Sequence, residues 1–267
     1  MDIPVLQSVK NIELQFNTGE QPVLVTCSDK HTYICKYMRS SAAAYKLVCE
    51  LIGAWMASEW HLYTPEIAFV QIKPRHWLGA RNDHSLSAPA IGSRRIGSVM
   101  DITPSTYRFI NPSETTLLQL MRIALFDFWI ANEDRNANNA NLLYDLSRDE
   151  LVSIDYGCIL NTATFEYPMS QLTSTDTILW SDLFHFLAKG KKSYAFYAFK
   201  SVLESAFPAW VKRCEKQFPI LLQTIPKDWY VEVETVENKL SQLFEEQWIK
   251  SVRDSFVECL NENISHE

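Results

Sequence analysis

"FDFWIANEDRNANNANLLYD" (Phe126–Asp145) is the stretch on which the fold turns. An apolar run ends, Asp134 and Arg135 follow, and four asparagines (Asn136, Asn138, Asn139 and Asn141) precede a second apolar run. Asn and Asp favour turns because their side chains bond local backbone, so a capped turn explains the stretch taken alone. It does not explain "SIDYG" (Ser153–Gly157) downstream. "NLLYD" (Asn141–Asp145) and "LVSIDYG" (Leu151–Gly157) read as two short strands joined at Leu146–Glu150, a hairpin. Folding it back lets Asp134, Asn139 and Asp155 converge at one end. An amide and a carboxylate are hard oxygen donors suited to a Mg²⁺ ion that also takes phosphate oxygens. A free carboxylate beside them can accept a hydroxyl proton. A loop aspartate, an asparagine five residues on and a later aspartate before glycine form the pattern of phosphoryl transfer.

Upstream of that stretch, Ser113 reads as the cap of a helix carrying Leu117, Leu118, Leu120, Met121, Ile123, Ala124, Leu125 and Phe128. It is apolar on most sides, which predicts a buried central helix. Asp127 lies inside it and is read either as a brace for the loop or as a structural carboxylate. Downstream, Thr177–Ala188, Ser193–Ala206, Ala209–Thr224 and Thr235–Asn261 read as helices, with the aromatics of Trp180–Trp210 as core.

The first third has another texture. "PVLVTCS" and "HTYICKYM" are β-branched and aromatic, with a turn at Asp29-Lys30. From Ser40, Tyr45, Val48, Leu51, Ile52, Trp55, Met56 and Trp60 recur at three and four, an amphipathic helix with Ser40 or Ser41 as cap. "IAFVQI" (Ile67–Ile72) reads as a strand, His76–Pro89 as a polar loop, and "IGSRRIGSV" (Ile91–Val99), with two glycines, as the connection between halves. Lys36 sits in an apolar strand where an unpaired cation would be costly. Glu50, fourteen residues later on the helix, is its expected partner in preference to Glu59, which lies nearer the helix end. A strand lysine paired to a helix glutamate holds the α- and β-phosphates in kinases. The layout is α+β and two-lobed, with a β-rich N-lobe (1–98) and a mainly helical C-lobe (99–267).

Bulk properties set outer limits. A 267-residue chain that is 47% hydrophobic can bury a sizeable core. A net charge of −7 argues against a broad nucleic-acid footprint, and Lys189–Lys192 is the basic cluster that stands out. Six scattered cysteines without a C-x-x-C pair, and histidines without metal-ligand spacing, give no structural zinc site. They suit a reduced, cytoplasmic setting. No signal peptide and no apolar run of about 18 residues is read, so no membrane contact is expected.

These motifs resemble the core of HipA-like kinases, in the compact branch without the extra N-terminal subdomain. That family carries D-R-x-x-x-N-x-N-L-L and then I-D-x-G, which "DRNANNANLL" and "IDYG" match. "PVLVTCSDKHTYICKY", "CELIGAWMASEWHLYTPEI" and "IGSRRIG" resemble its strand-turn-strand, its glutamate helix and its hinge, so the likeness spans roughly 15–160. The resemblance implies a two-lobed protein-kinase-like fold and an ATP- and Mg²⁺-dependent serine/threonine protein kinase. Asp134 would be catalytic, Asn139 and Asp155 would hold metal, and Lys36, Glu50 and Gly19 would serve the nucleotide. Asn141 would support the loop, and Arg135 would neutralise Asp134 or bind phosphate. Two departures stand out. The phosphate-covering "FNTGEQPV" (Phe16–Val23) holds a single glycine, Gly19, and so offers fewer unhindered N–H groups. His61 stands where the helix exit usually has glycine. A small-molecule kinase, or a pseudokinase that binds nucleotide and acts as a partner-binding module, are the alternatives. The protein substrate is unnamed by the sequence, a regulatory protein partner is an expectation, and Thr18 is a candidate phosphosite.

Overall fold

The computed structural model describes residues 3–77 and 87–265. The segment 78–86, most of the expected polar loop including His84, lies outside the described residues. The first third builds a six-stranded sheet from β1 (Val5–Gln7), β2 (Leu14–Gln15), β3 (Val23–Thr26), β4 (Thr32–Lys36), β5 (Ile67–Gln71) and β6 (Ala90–Arg94), in the order β1-β5-β6-β4-β3-β2. β3 and β4 form the expected antiparallel hairpin, with Cys35 opposite Val23 and Thr26 opposite Thr32. Side chains alternate across a strand. Tyr33 and Cys35 therefore enter the core with Val23, Val25 and Val70, while Thr32, Ile34 and Lys36 face the other way, into a cleft.

Helix α1 (Ser41–Glu59) follows, and Ser40 caps it by accepting a hydrogen bond from the Ala43 N–H at 3.3 Å. At its exit His61 adopts φ 55°, the left-handed conformation that glycine takes most readily. The stretch "IGSR" (residues 91–94) is a correction to the sequence reading. It is no connector but strand β6, hydrogen-bonded between β5 and β4. Gly92 is needed there for packing, since a Cβ would lie 2.8 Å from Val70 and 3.1 Å from the Tyr33 Cβ. Only the residues after Arg94 lead out of the sheet.

Strand β7 (Val99–Asp101) then joins β8 (Leu142–Asp145) and β9 (Glu150–Ser153) in a three-stranded sheet, where two strands were expected. Between them runs α2 (Glu114–Ile130), capped by Ser113, which accepts from the Thr116 N–H at 3.1 Å. Its residues from Leu120 to Ile130 are buried apart from Arg122, in keeping with a central helix. A short segment, α3 (Ile159–Ala163), follows β9. The remainder is α4 (Asp182–Ala188), α5 (Lys192–Ser201), α6 (Phe207–Thr224), α7 (Val233–Ser241) and α8 (Glu246–Ser265).

The helical tail departs from its expected boundaries in three places. Ser181, not a residue near Thr177, caps α4, and 3₁₀ turns precede it. Ser193–Ala206 and Ala209–Thr224 run together through a π-helical turn at Val202–Ala206. Pro208 has no N–H to give the Glu204 carbonyl, and the preceding Phe207 N–H reaches back five residues to Val202. Thr235–Asn261 is split by a 3₁₀ turn at Gln242–Phe244 and extended backbone at Glu245. All six cysteines are unpaired. Among the described residues no helix is long and apolar enough to cross a membrane.

Candidate active site

The β4 register places the Lys36 ammonium at the inner end of the cleft, where it is mostly buried. It donates to Asp155 Oδ1 at 2.7 Å, pairs with Glu20 Oε2 at 2.8 Å and makes a very short contact with Glu50 Oε1. The expected Lys36–Glu50 pair is thus present, and Asp155 joins it from 119 residues away. Burial works to lower the Lys36 pKa, but Glu50, Asp155 and Glu20 outweigh it and hold the ammonium well above the ordinary lysine range. Burial lifts the Glu50 carboxyl to about 8 against the pull of Lys36. Asp155 feels burial too, yet the Lys36 charge and hydrogen bond leave it below the usual carboxylate range.

Two glycines make this convergence possible. A Cβ on Gly157 would stand 3.0 Å from Glu50 Oε1 and 3.2 Å from Glu20 Oε1. A Cβ on Gly53 would collide with the Tyr156 Cβ, so the middle of α1 lies directly on the residue after Asp155. Asp155 itself has φ 60°, a left-handed conformation uncommon outside glycine and concentrated at functional sites.

Asp134 lies on the neighbouring loop and accepts from Asn141 Nδ2 at 2.8 Å through Oδ2. Asn141 has φ 44°, and its carbonyl accepts from the Ile154 N–H at 3.2 Å, one residue before Asp155. Arg135 clamps the same junction from beneath by donating to the Ile154 carbonyl at 2.9 Å and the Asn141 carbonyl at 3.4 Å. Its side chain is fully buried and pairs with Asp127, which also accepts from Asn132 Nδ2 at 2.9 Å. Arg135 therefore neither neutralises Asp134 nor reaches a phosphate, because its fork is spent inside the core. Asp127 is the brace. Burial raises its carboxyl to about 6 against the pull of Arg135.

Asn139 is exposed, and its backbone closes a tight turn with Asn136, whose side chain accepts from the Asn138 and Asn139 N–H groups. Among the described residues its side chain bonds none of Lys36, Asp134 or Asp155. Gly19 has open space about its Cα, and its carbonyl accepts from Arg39 at 3.3 Å. It borders a second cavity of about 430 Å³, shared with Glu20, Lys36, Arg39, Ser40 and Lys46, rather than the main cleft.

The main cleft measures about 1230 Å³. Leu14, Leu24 and Ile34 line it from the six-stranded sheet, Met100 and Leu143 from the three-stranded sheet, and Ser93–Gly97 along the back. Among the described residues the N–H groups of Ile96 and Gly97 have no hydrogen-bond partner. An apolar slot with free backbone donors at its edge and a cation at its inner end suits a planar base bearing phosphates. The carboxylate oxygens of Glu20, Glu50 and Asp155 lie within 4.8 Å of one another, a hard-oxygen set compatible with a divalent cation.

Two participants escaped the sequence reading. Glu20 carries no motif signal, since it reaches Lys36 only once the β2–β3 loop folds over. Glu133, beside Asp134, accepts from Asn161 Nδ2 at 2.6 Å and from the Thr162 hydroxyl at 3.0 Å. It thereby holds a turn in which Leu160, Asn161, Thr162 and Ala163 all have φ between 53° and 60°. Left-handed backbone costs about 1–2 kcal/mol per residue, and the Glu133 bonds and the Asn161 N–H to Ala131 carbonyl bond at 3.0 Å offset it.

Residues 9–256 match the family model described as HipA-like kinase. No curated protein matches the chain. Among solved structures, one described as the open conformation of CtTel1 aligns at 10% identity with a TM-score of 0.38. That alignment covers 91% of this chain and 11% of the other, so the chain spans about a tenth of that protein's length.

Proposed function

The chain belongs to the HipA-like kinase family, and from that premise we propose that it is an ATP- and Mg²⁺-dependent protein kinase acting on serine or threonine hydroxyls. In this reading the fold is two-lobed and kinase-like. The six-stranded sheet and α1 form an N-lobe (1–98), and the three-stranded sheet and the helices form a C-lobe (99–267). The observation that carries the proposal is Lys36, which is joined to both Glu50 and Asp155 at the inner end of an apolar cleft.

The base would lie between Leu24 and Ile34 on one side and Met100 and Leu143 on the other, its edge on the free Ile96 and Gly97 N–H groups. Lys36 would hold the α- and β-phosphates, with Glu50 keeping the ammonium in place. Mg²⁺, held by Asp155 and Asn139, would supply positive charge against the phosphates. Asp134 is fixed through Oδ2 by Asn141, which leaves Oδ1 to accept the proton of the acceptor hydroxyl and aim it along the line of attack. Arg135 and Asp127 hold the loop and the Ile154 strand end at constant spacing, so Asp134 and Asp155 stay in register without further reorganisation.

The test is incubation with γ-labelled ATP and Mg²⁺, with the Asp134→Asn variant in parallel. Label transferred to the chain or to added protein by the wild type alone is the expected result. Label on small molecules only would replace the protein acceptor. The single glycine of the β2–β3 loop favours a second reading, a nucleotide-binding module without turnover. Calorimetric binding of Mg-ATP with no transfer would establish it.

A further inference from the structure

An ammonium has three N–H donors. On Lys36 one goes to Glu50 and one to Asp155, and the Glu20 carboxylate stands 2.8 Å from the nitrogen as an ion pair without a hydrogen bond. A phosphate oxygen seeking the remaining donor meets the Glu20 carboxylate beside the nitrogen, and it adds negative charge to a cluster already holding three carboxylates about one cation. One carboxylate must leave, and the structure ranks them. Glu50 has only 8% of its side chain exposed and is set in the interior of the 19-residue helix α1. Asp155 is pinned by left-handed backbone and accepts from the Gly157 N–H at 3.4 Å. Glu20 is 29% exposed, lies on the loop joining β2 to β3, and has a second cation within reach, Lys46 Nζ at 3.4 Å from Oε1. Glu20 and Lys46 both border the cavity of about 430 Å³ beside the main cleft, so the carboxylate has a place to go.

Resting on the nucleotide-binding reading above, we infer that Glu20 is the affinity-determining residue of the site: its carboxylate occupies the phosphate position on Lys36 and transfers to Lys46 when a nucleotide phosphate displaces it. The depth of insertion supports this. The Glu20 carboxylate reaches far enough that a Cβ on Gly157 would meet it at 3.2 Å, beyond what a solvated loop residue needs. The exchange swaps one anion for another on the same donor, so base recognition at the other end of the cleft is independent of it.

Isothermal titration with Mg²⁺ and a non-hydrolysable ATP analogue, and separately with adenosine, tests the exchange. Glu20→Gln keeps the size of the side chain and removes its charge. It should tighten binding of the triphosphate analogue about tenfold, the worth of one charge-assisted hydrogen bond, and leave adenosine unchanged. Lys46→Met should weaken the analogue several-fold, and in the Glu20→Gln background it should have no effect, because Lys46 acts only through Glu20. Equal analogue affinities for wild type and Glu20→Gln, with adenosine bound, would overturn the exchange and leave the nucleotide site standing. A full Lys46→Met effect persisting in the double variant would overturn it as well, by making Lys46 a direct phosphate contact. Failure of adenosine and analogue to bind any variant would remove the nucleotide reading and this inference together.

Discussion

Lys36 and Arg135 are both mostly buried cations paired with carboxylates, and they are built on opposite principles. Arg135 is fully enclosed, with one carboxylate and two carbonyls around its fork. Lys36 stands at the inner end of an open cleft with three carboxylates around one ammonium. The first is satisfied and sealed, so nothing can enter and nothing can leave. The second is over-supplied with anions and open on one side, so its partners can exchange. A buried ion pair is weak evidence of function until acceptors are counted and the way out is found.

The sharpest way to break this contrast is to remove each cation. Arg135→Met should cost about 3–5 kcal/mol in denaturant unfolding, since it strands Asp127 in the core. The double variant Arg135→Met/Asp127→Leu should cost less than Arg135→Met alone, and an equal or larger loss would mean that the bonds to the Ile154 and Asn141 carbonyls, not the stranded Asp127, carry the cost. Asp134→Asn should lower phosphoryl transfer about 10²–10⁴-fold with an unchanged unfolding midpoint, read by label transfer and circular dichroism side by side. Gly53→Ala, which drives a Cβ into Tyr156 and so pushes α1 off the Asp155 turn, should destabilise by about 1–3 kcal/mol.

Smaller effects refine the picture. Asp145 at the β8–β9 turn accepts from the Tyr63 hydroxyl at 2.8 Å and the Ser147 hydroxyl at 2.6 Å. Burial works to raise its carboxyl, but these bonds bring it below the ordinary value of 3.8. Its contribution is therefore complete above pH 3.8 and lost as pH falls through the folded value. Asp145→Asn should cost about 1 kcal/mol at pH 7, and thermal melts of the two proteins should converge in acid. Lys36→Met should cost the least stability, under about 1 kcal/mol, because Glu50 can take up a proton and Glu20 and Asp155 reach solvent; nucleotide binding should be lost all the same.

Much of this was legible in residue patterns, for identifiable reasons. α1 and α2 announce themselves because their apolar residues keep helical spacing and Ser40 and Ser113 stand at their starts. The β3–β4 and β8–β9 hairpins follow from short β-branched runs around turn residues. Lys36 and Glu50 could be paired because a strand alternates and a helix follows at once. The reading failed where meaning depends on what lies across the chain. Gly92 looks like a connector locally, and only Val70 and Tyr33 on neighbouring strands explain it. Arg135 has one buried partner on the preceding helix and two carbonyls beyond the loop, which no spacing rule selects. Glu20 sits in a loop without periodicity, and its role exists only after the loop closes on Lys36. Asn139, chosen by motif, stands exposed on its turn, and its part remains with the proposal.

The aromatic packing has a practical yield. Trp60, where α1 ends, stacks on Trp129 of α2 with centroids 5.1 Å apart at 21°, and Trp210 of α6 lies 5.0 Å from Trp60 at 33°. Trp248 of α8 donates to the Trp129 carbonyl at 2.9 Å. Indoles this close share their strongest electronic excitation, so the native molecule should carry a tryptophan exciton signal in far-ultraviolet circular dichroism. That signal is an unlabelled optical gauge of whether the strand-rich and helical parts stay docked, readable in a cuvette during any titration.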